Sequence, residues 1–246
     1  MARFFVPKEN IHDNYGTIAG EELDHLKRVL RLGRGDHITV FDDGGWEHEA
    51  VVRSFGAGEG LIEILRSYQT ARESPLEITV AVGLTKGEKM DFVVEKATEL
   101  GVQTIVPFVS AYTVPKLDDG KIEKRRGRWQ KIALSATKQS GRTRVPAIVA
   151  LSGFRDLVRE PRSGTLKLLF WEKEGPQKLR EVYEEQKDAR RILAIVGPEG
   201  GFSAEEAKLA IDHGFRPVHL GHRILRAETA VVAAMSLVQF LWGDLG

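Results

Sequence analysis

The stretch IVGPEGGFSAEE, residues 195–206, decides how this chain is organised. The apolar run ILAIV that leads into it has the length and the β-branched residues of a buried strand. Ser203, with Glu206 three residues later, forms a capping box and predicts the start of a helix. The proline and the three glycines between them therefore lie in a strand-to-helix turn. Open α/β sheets hold their ligands at such turns, although a tight turn chosen only for its backbone angles would have the same sequence.

The loop does not match the common phosphate-binding patterns. It has no Gly-Lys-Ser/Thr sequence, and its glycines are not spaced as G-x-G-x-x-G. Glu199 places a carboxylate at the start of the helix, where it would repel a polyanion but suits a cationic or neutral ligand. A ligand that carries a sulfonium and an adenosine fits this description.

Composition excludes several classes of protein. The 246 residues include no cysteine, which excludes thiolate catalysis, cysteine-based zinc sites and disulfides, and agrees with a reducing cytoplasm. The first residues, MARFFVPKEN, lack the apolar core of a signal peptide, and the most apolar run, AVVAAMSLVQFLW, is interrupted by Ser236 and Gln239. We therefore expect a soluble, cytoplasmic protein with no membrane partner.

The hydrophobic pattern changes once along the chain. Residues 1–72 contain short strand-like runs separated by glycine turns, which predicts a small β-barrel, with one helical piece, GEELDHLKRVLRL. Residues 73–246 alternate strand and helix patterns, which predicts an α/β domain with a mostly parallel sheet. The apolar final helix is predicted to be either a core helix or the contact face of a homodimer.

Positive charge is concentrated in two places, although the whole chain carries a net charge of only +1. Residues 121–144 hold nine basic residues and a single acid, Glu123, and a second cluster lies at residues 27–34. Either cluster alone could be a solvated helix face. Two clusters near a candidate ligand loop favour a polyanionic partner.

A second glycine loop, LGHRILRAETA at residues 220–230, repeats the order strand, glycine, irregular segment and helix. Two such loops at neighbouring strand ends can form one pocket. Arg226 and Glu228 stand immediately before the apolar helix, where a charge is costly unless it is paired or functional. The alternative is that Glu228 only fixes the turn through an ion pair with Arg226 or Arg223.

Several strings occur in one order along the chain: RESPL, GEKM, ATELGV, WQKIA, GRTRVP, IVGPEGGFSAEE, LGHRILRAETA and GDLG. Together they resemble the RsmE-type ribosomal RNA methyltransferases, and the resemblance runs nearly end to end. It implies a SPOUT methyltransferase domain with a deep trefoil knot, a PUA-like β-barrel, a homodimer and S-adenosylmethionine as cofactor. The implied reaction is methylation of N3 of one uridine in the decoding region of 16S ribosomal RNA in the small subunit.

The resemblance also implies the site residues. His222 departs from the family pattern, and the pair His219 and His222 is not expected to hold a metal, because no third ligand is in view. The implied cofactor-binding residues are Phe170, Trp171, Glu172, Gly197, Pro198, Glu199, Gly200, Gly201, Leu220, Gly221, Ile224, Leu225, Arg226 and Thr229.

Methylation at N3 requires removal of a weakly acidic proton, so a cation that stabilises the developing anion would lower the barrier. Arg226 is the candidate for this role, and Glu228 would either orient Arg226 or accept the proton. The residues expected to hold RNA phosphates are Arg28, Arg31, Gln139, Arg142 and Arg144. Two other functions stay open, a methyltransferase that acts on tRNA and a non-catalytic RNA-binding dimer.

Overall fold

A computed structural model describes residues 2–113, 119–172 and 177–246. The chain divides into two compact units, one of residues 1–73 with 137–145 and the other of residues 74–136 with 146–246. The expected single boundary between residues 72 and 73 places all later residues in one domain. The structure instead returns Thr137–Val145 to the first unit.

The first unit contains a curled six-stranded sheet. Its strands are β1 (Arg3–Phe5), β2 (Ile11–His12), β3 (Tyr15–Ala19), β4 (His37–Phe41), β5 (Trp46–Phe55) and β6 (Glu59–Gln69), in the order β1-β4-β5-β6-β3-β2. All pairings are antiparallel except β1 with β4. Irregularities in the β5–β6 register, at Glu49/Ala50 and Val52/Ser54, bend these two strands, as β-bulges do.

The predicted helical piece of this unit is short. Helix α1 (Gly20–Asp24) continues as a π-helical turn, His25–Val29. Apolar residues that alternate along the strands point inward with Leu23 and Leu26 and form the core of the unit. The ladder ends at β1 and β2, which do not pair with each other among the described strands, so a closed barrel is not seen.

The second unit is α/β, as the alternating pattern predicts. Its strands are β7 (Glu77–Gly83), β8 (Thr104–Val109), β9 (Ala147–Ile148), β10 (Ser152–Gly153), β11 (Leu166–Phe170), β12 (Gln177–Lys178), β13 (Arg191–Val196) and β14 (Arg216–His219). They form one sheet in the order β10-β8-β7-β13-β11-β14-β12, with β9 beside β8, and every pairing is parallel.

Helices connect these strands, and their bounds are α2 (Lys89–Glu99), α3 (Asp119–Ser140), α4 (Phe154–Arg159), α5 (Leu179–Glu185), α6 (Ala204–Asp212) and α7 (Ala227–Trp242). Strands β7, β11 and β13 are buried almost throughout, because parallel sheets are covered on both faces. The capping box predicted for α6 is present: Ser203 Oγ accepts a hydrogen bond from Glu206 N at 3.1 Å, and Glu206 Oε2 accepts one from Ser203 N at 3.0 Å.

Helix α7 has both a core face and an exposed apolar face. Val231, Met235 and Val238 are fully buried, whereas Leu237 and Phe240 are 41% and 59% exposed. In the part of the chain that the structure describes, no helix combines the length and the apolarity that crossing a membrane requires.

Candidate cofactor site

The two glycine loops of the sequence come together at one edge of the parallel sheet. Strand β11 lies between β13 and β14, and the register aligns Phe170 with Val196 and Val218. The carboxyl ends of the three strands therefore meet at one level. The segments that follow them, 171–172, 197–201 and 220–226, surround a single cavity.

The cavity has a volume of about 480 Å³, which suits a small ligand or cofactor. Apolar side chains, backbone of the glycine loops and both signs of charge are present in its wall. Its lining residues are Lys89, Phe170, Trp171, Glu172, Val196, Gly197, Pro198, Glu199, Gly200, Gly201, Leu220, Gly221, Arg223, Ile224, Leu225, Arg226, Ala227 and Ala230.

The predicted cofactor residues all line this cavity, with the exception of Thr229. Thr229 is exposed and lies outside the wall, because in the first turn of α7 it is Ala227 and Ala230 that face the cavity. Sequence reasoning missed Lys89, whose string GEKM was recognised without a role for the lysine. Lys89 stands at the first position of α2, far from both glycine loops in the sequence.

The glycines of residues 197–201 have structural reasons of their own. Gly201 has a φ of +69°, a conformation that side-chain-bearing residues rarely adopt. A Cβ at Gly200 would lie 2.6 Å from Cβ of Tyr112, and a Cβ at Gly83, at the end of β7, would lie 2.4 Å from Pro198. Packing of the loop thus requires glycine at these positions whether or not a ligand is bound, and the tight-turn interpretation holds alongside the ligand-binding one.

A cluster of four charged groups lies beside the cavity. Lys89 Nζ is 2.9 Å from Glu199 Oε1 and 3.8 Å from Glu228 Oε2. The hydrogen bond to Glu199 raises the pKa of Lys89, and Arg226 is near enough to oppose that shift. Burial acts to raise the pKa of Glu199, but the hydrogen bonds from Lys89 and from backbone N–H groups outweigh it and hold that pKa below its usual value.

The alternative ion pair of Glu228 with Arg226 or Arg223 is therefore not observed. Within the described residues, neither Arg226 nor Arg223 lies within 4.0 Å of an acidic oxygen, and Lys89 is the cation next to Glu228. Arg226 is also exposed rather than desolvated, because the residue stands at the N-cap of α7 and not inside the helix. Its side chain is free to meet a group that enters the cavity.

The predicted RNA-binding residues differ in how exposed their side chains are. Arg28 is exposed, and among the described residues its ion pair is with Asp24, at 3.2 Å. Arg31, with a φ of +55°, Gln139 and Arg144 are also exposed.

Arg142 contradicts its predicted role. Its side chain is only 3% exposed, and Nη2 lies 2.8 Å from Glu73 Oε2. A guanidinium held in this way is a structural group of the first unit, because leaving the pair to grip a phosphate would take the charged partner from the partly buried carboxylate of Glu73.

Comparison with protein-family models identifies the class. Residues 72–239 match the model of an RNA methyltransferase domain, and residues 18–65 match that of an RNA methyltransferase PUA domain. The fold and the site thus define an RNA methyltransferase with a PUA domain.

Individual relatives narrow the class further. The chain is 31% identical to ribosomal RNA small subunit methyltransferase E of Bacillus subtilis over 98% of this chain and 96% of the relative. It is 36% identical, with a TM-score of 0.90 and full coverage of both chains, to the Neisseria gonorrhoeae enzyme of the same name, solved bound to S-adenosylmethionine. A Legionella pneumophila protein, solved with the same cofactor, is 33% identical with a TM-score of 0.90 over 99% of this chain and 98% of its own. The chain belongs to the ribosomal RNA small subunit methyltransferase E family.

Proposed function

We propose that this protein transfers the methyl group of S-adenosylmethionine to N3 of a uridine in the decoding region of 16S ribosomal RNA. The observation that carries the proposal is the cavity formed by segments 171–172, 197–201 and 220–226 in a chain of the methyltransferase E family. Relatives with the cofactor bound support its identity. The choice of N3 and of the decoding region rests on the resemblance described above.

The residues of the cavity fit this cofactor. S-adenosylmethionine supplies an electrophilic methyl group on a sulfonium, and its adenosine presents a flat apolar face with hydrogen-bonding edges. Glu172 and Glu199 supply carboxylates that can face the sulfonium, and the cations Lys89, Arg223 and Arg226 also line the wall. Leu220 and Leu225 add apolar surface, and the backbone of residues 197–201 offers N–H and C=O groups. The absence of a Lys or Arg among residues 197–201 is consistent with a ligand that has no phosphate.

Chemistry on the base requires that N3 be unpaired and turned out of any helix. Arg226 stands at the cavity with no acidic partner among the described residues, so its guanidinium can stabilise the anion that forms as N3 loses its proton. Glu228 is close enough to Lys89 to be oriented by it, and it can orient Arg226 or accept the proton. The main catalytic device is alignment of methyl donor and nitrogen.

The proposed function also assigns a role to each part of the chain. Residues 1–72 act as a PUA-like RNA-binding domain with Arg28 and Arg31, and the stretch Gln139 to Arg144 adds Gln139 and Arg144. Residues 73–246, apart from the segment 137–145 of the first unit, carry the catalytic domain, which contains a trefoil knot. The exposed Leu237 and Phe240 of α7 support a homodimer, because they leave apolar surface uncovered in one chain. Small ribosomal subunits place the reaction in the cytoplasm.

One experiment tests the function. The protein is incubated with labelled S-adenosylmethionine and, separately, with small subunits that lack the modification, naked 16S RNA or tRNA, and the labelled base is mapped. We expect label at N3 of one uridine in the small subunit. Label in tRNA would identify a tRNA methyltransferase, and absence of cofactor binding by calorimetry would leave a non-catalytic RNA-binding protein.

A further inference from the structure

Lys89 connects two segments of the cavity wall that are distant in sequence. Its Nζ lies 2.9 Å from Glu199 of the first glycine loop and 3.8 Å from Glu228 in the first turn of α7. Both carboxylates belong to elements that surround the cavity, and the lysine itself lines it. The side chain is 35% exposed, so the contact is neither deeply buried nor fully solvated.

The first glycine loop is held to the start of α2 at more than one point. Glu199 Oε1 also accepts a hydrogen bond from the backbone N–H of Lys86 at 3.3 Å. Pro198 packs so closely on Gly83 that a Cβ there would lie 2.4 Å away. The loop is thus fixed to the β7–α2 connection by packing at Pro198 and by two donors at Glu199, of which Lys89 is the charged one.

Glu228 depends more strongly on the same lysine. Its Oε2 is buried and has no hydrogen-bond partner among the described residues. An ionised oxygen in this position is costly unless a cation is near, and Lys89 is the cation observed next to it. Lys89 is near enough to Glu199, Glu228 and Arg226 for the charge of each to act on the pKa of the lysine.

We infer that Lys89 is a positioning residue for methyl transfer, which holds Glu199 and Glu228 together and so fixes the first glycine loop against the start of α7. The inference rests on the proposed function, because that function makes these two segments the cofactor-binding and base-facing walls. Lys89 acts through the two glutamates and needs no contact with the cofactor itself.

Removal of the Lys89 ammonium leaves the carboxylates of Glu199 and Glu228 without the cation between them. Their oxygens can be no farther apart than the sum of their two distances to Lys89 Nζ. Like charges at this separation repel one another and push the first glycine loop away from α7. A displacement of about 1 Å at a reacting site can lower a rate about a hundredfold. Global stability should change little, because a partly exposed ion pair contributes little to folding.

The test replaces Lys89 by a side chain of similar length without charge, Lys89→Met. We expect affinity for S-adenosylmethionine, measured by calorimetry, to fall about tenfold and the single-turnover methylation rate to fall about a hundredfold. The midpoint of thermal unfolding should stay within a few degrees of wild type. Lys89→Arg should restore most of the rate, since it keeps the cation, and Lys89→Gln should behave as Lys89→Met.

Lys96 provides a matched control. It lies on the same helix, is 31% exposed, and pairs with Glu99 at 2.8 Å, but it does not line the cavity. Lys96→Met should therefore leave both cofactor affinity and methylation rate unchanged. Equal losses in the Lys89 and Lys96 variants would overturn the inference, because they would reflect helix stability alone.

A double-mutant cycle shows whether Lys89 acts through Glu199. If it does, adding Lys89→Met to Glu199→Gln costs much less than Lys89→Met costs in the wild type. Fully additive losses, or unchanged affinity and rate in Lys89→Met, would refute the positioning role. A wild-type protein that does not bind S-adenosylmethionine would instead refute the proposed function, so the two failures are distinguishable.

Discussion

Arg226 is the residue on which the proposed chemistry depends most. It is exposed at the N-cap of α7 and lines the cavity, so replacing it by alanine removes no buried contact. We expect Arg226→Ala to keep most of its affinity for S-adenosylmethionine while its single-turnover methylation rate falls by roughly two to three powers of ten. Raising the pH should partly restore the rate, because more of the uracil is then already deprotonated.

A structural role for Arg226 gives the opposite pattern. Thermal stability and cofactor affinity would fall together, and the rate would not recover at high pH. Single-turnover rates between pH 7 and 9, measured beside calorimetric titrations, separate the two. The second pattern would remove Arg226 from catalysis and leave alignment of the methyl donor as the sole proposed catalytic device.

Individual residues were predictable from sequence where the cause is local. The capping box of Ser203 and Glu206 depends on neighbours within a few positions. Lys89 was missed, and the pairing of Arg142 was not foreseen, because their partners, Glu228 and Glu73, are far away in the sequence. Charge in the sequence indicates that a partner is needed, but only the fold determines which one.

At the scale of elements, the segment Thr137–Val145 contains two arginines that look alike in sequence but have different surroundings. Arg142 is buried against Glu73, whereas Arg144 is exposed and only its backbone N–H contacts Glu73, at 3.1 Å. We expect Arg144→Ala to reduce the salt dependence of RNA binding by about one unit in slope, as loss of one phosphate contact does. Its unfolding free energy should be close to that of wild type.

Arg142→Ala should behave differently. It leaves the partly buried carboxylate of Glu73 with its two backbone donors but without its charged partner, a change that should cost about 1–3 kcal/mol. Chemical denaturation followed by circular dichroism should show this loss. A stable Arg142→Ala protein with a reduced salt slope would restore the predicted phosphate contact.

Long helices and strands were predictable from the hydrophobic period of the sequence, but short ones were not. The basic stretch that begins at residue 121 lies on α3 as far as Ser140, and the apolar run ILAIV is strand β13. Strands β2, β9, β10 and β12 have two residues each, and helix α4 has six, too few to show a period. Tertiary pairing, not local pattern, determines such elements.

At the scale of the whole molecule, the exposed apolar face of α7 predicts self-association. Leu237 and Phe240 are too exposed to belong to the core of one chain. We expect light scattering at low micromolar concentration to report twice the chain mass of 27.4 kDa. The double variant Leu237→Ser, Phe240→Ser should dissociate to monomers with its secondary structure intact. A monomeric wild type at that concentration would contradict the dimer.

Sequence pattern identified two architectures but not how the chain divides between them. Periodicity assigns a residue to an element and a face, and it carries no information about the return of Thr137–Val145 to the first unit. Arg3 provides contacts that hold the segment in this unit. Its guanidinium donates to the carbonyl oxygens of Thr137 at 3.1 Å and Arg142 at 2.6 Å.

The placement of Thr137–Val145 in the first unit has a consequence for biosynthesis. A nascent chain grows at about 5–20 residues per second, and domains commonly fold as soon as their own residues have emerged. Here Glu73 and Arg3 must wait for partners that are translated more than sixty residues after Glu73. The N-terminal unit therefore remains incomplete for several seconds, and its maturation is tied to elongation through the first strands and helices of the catalytic unit.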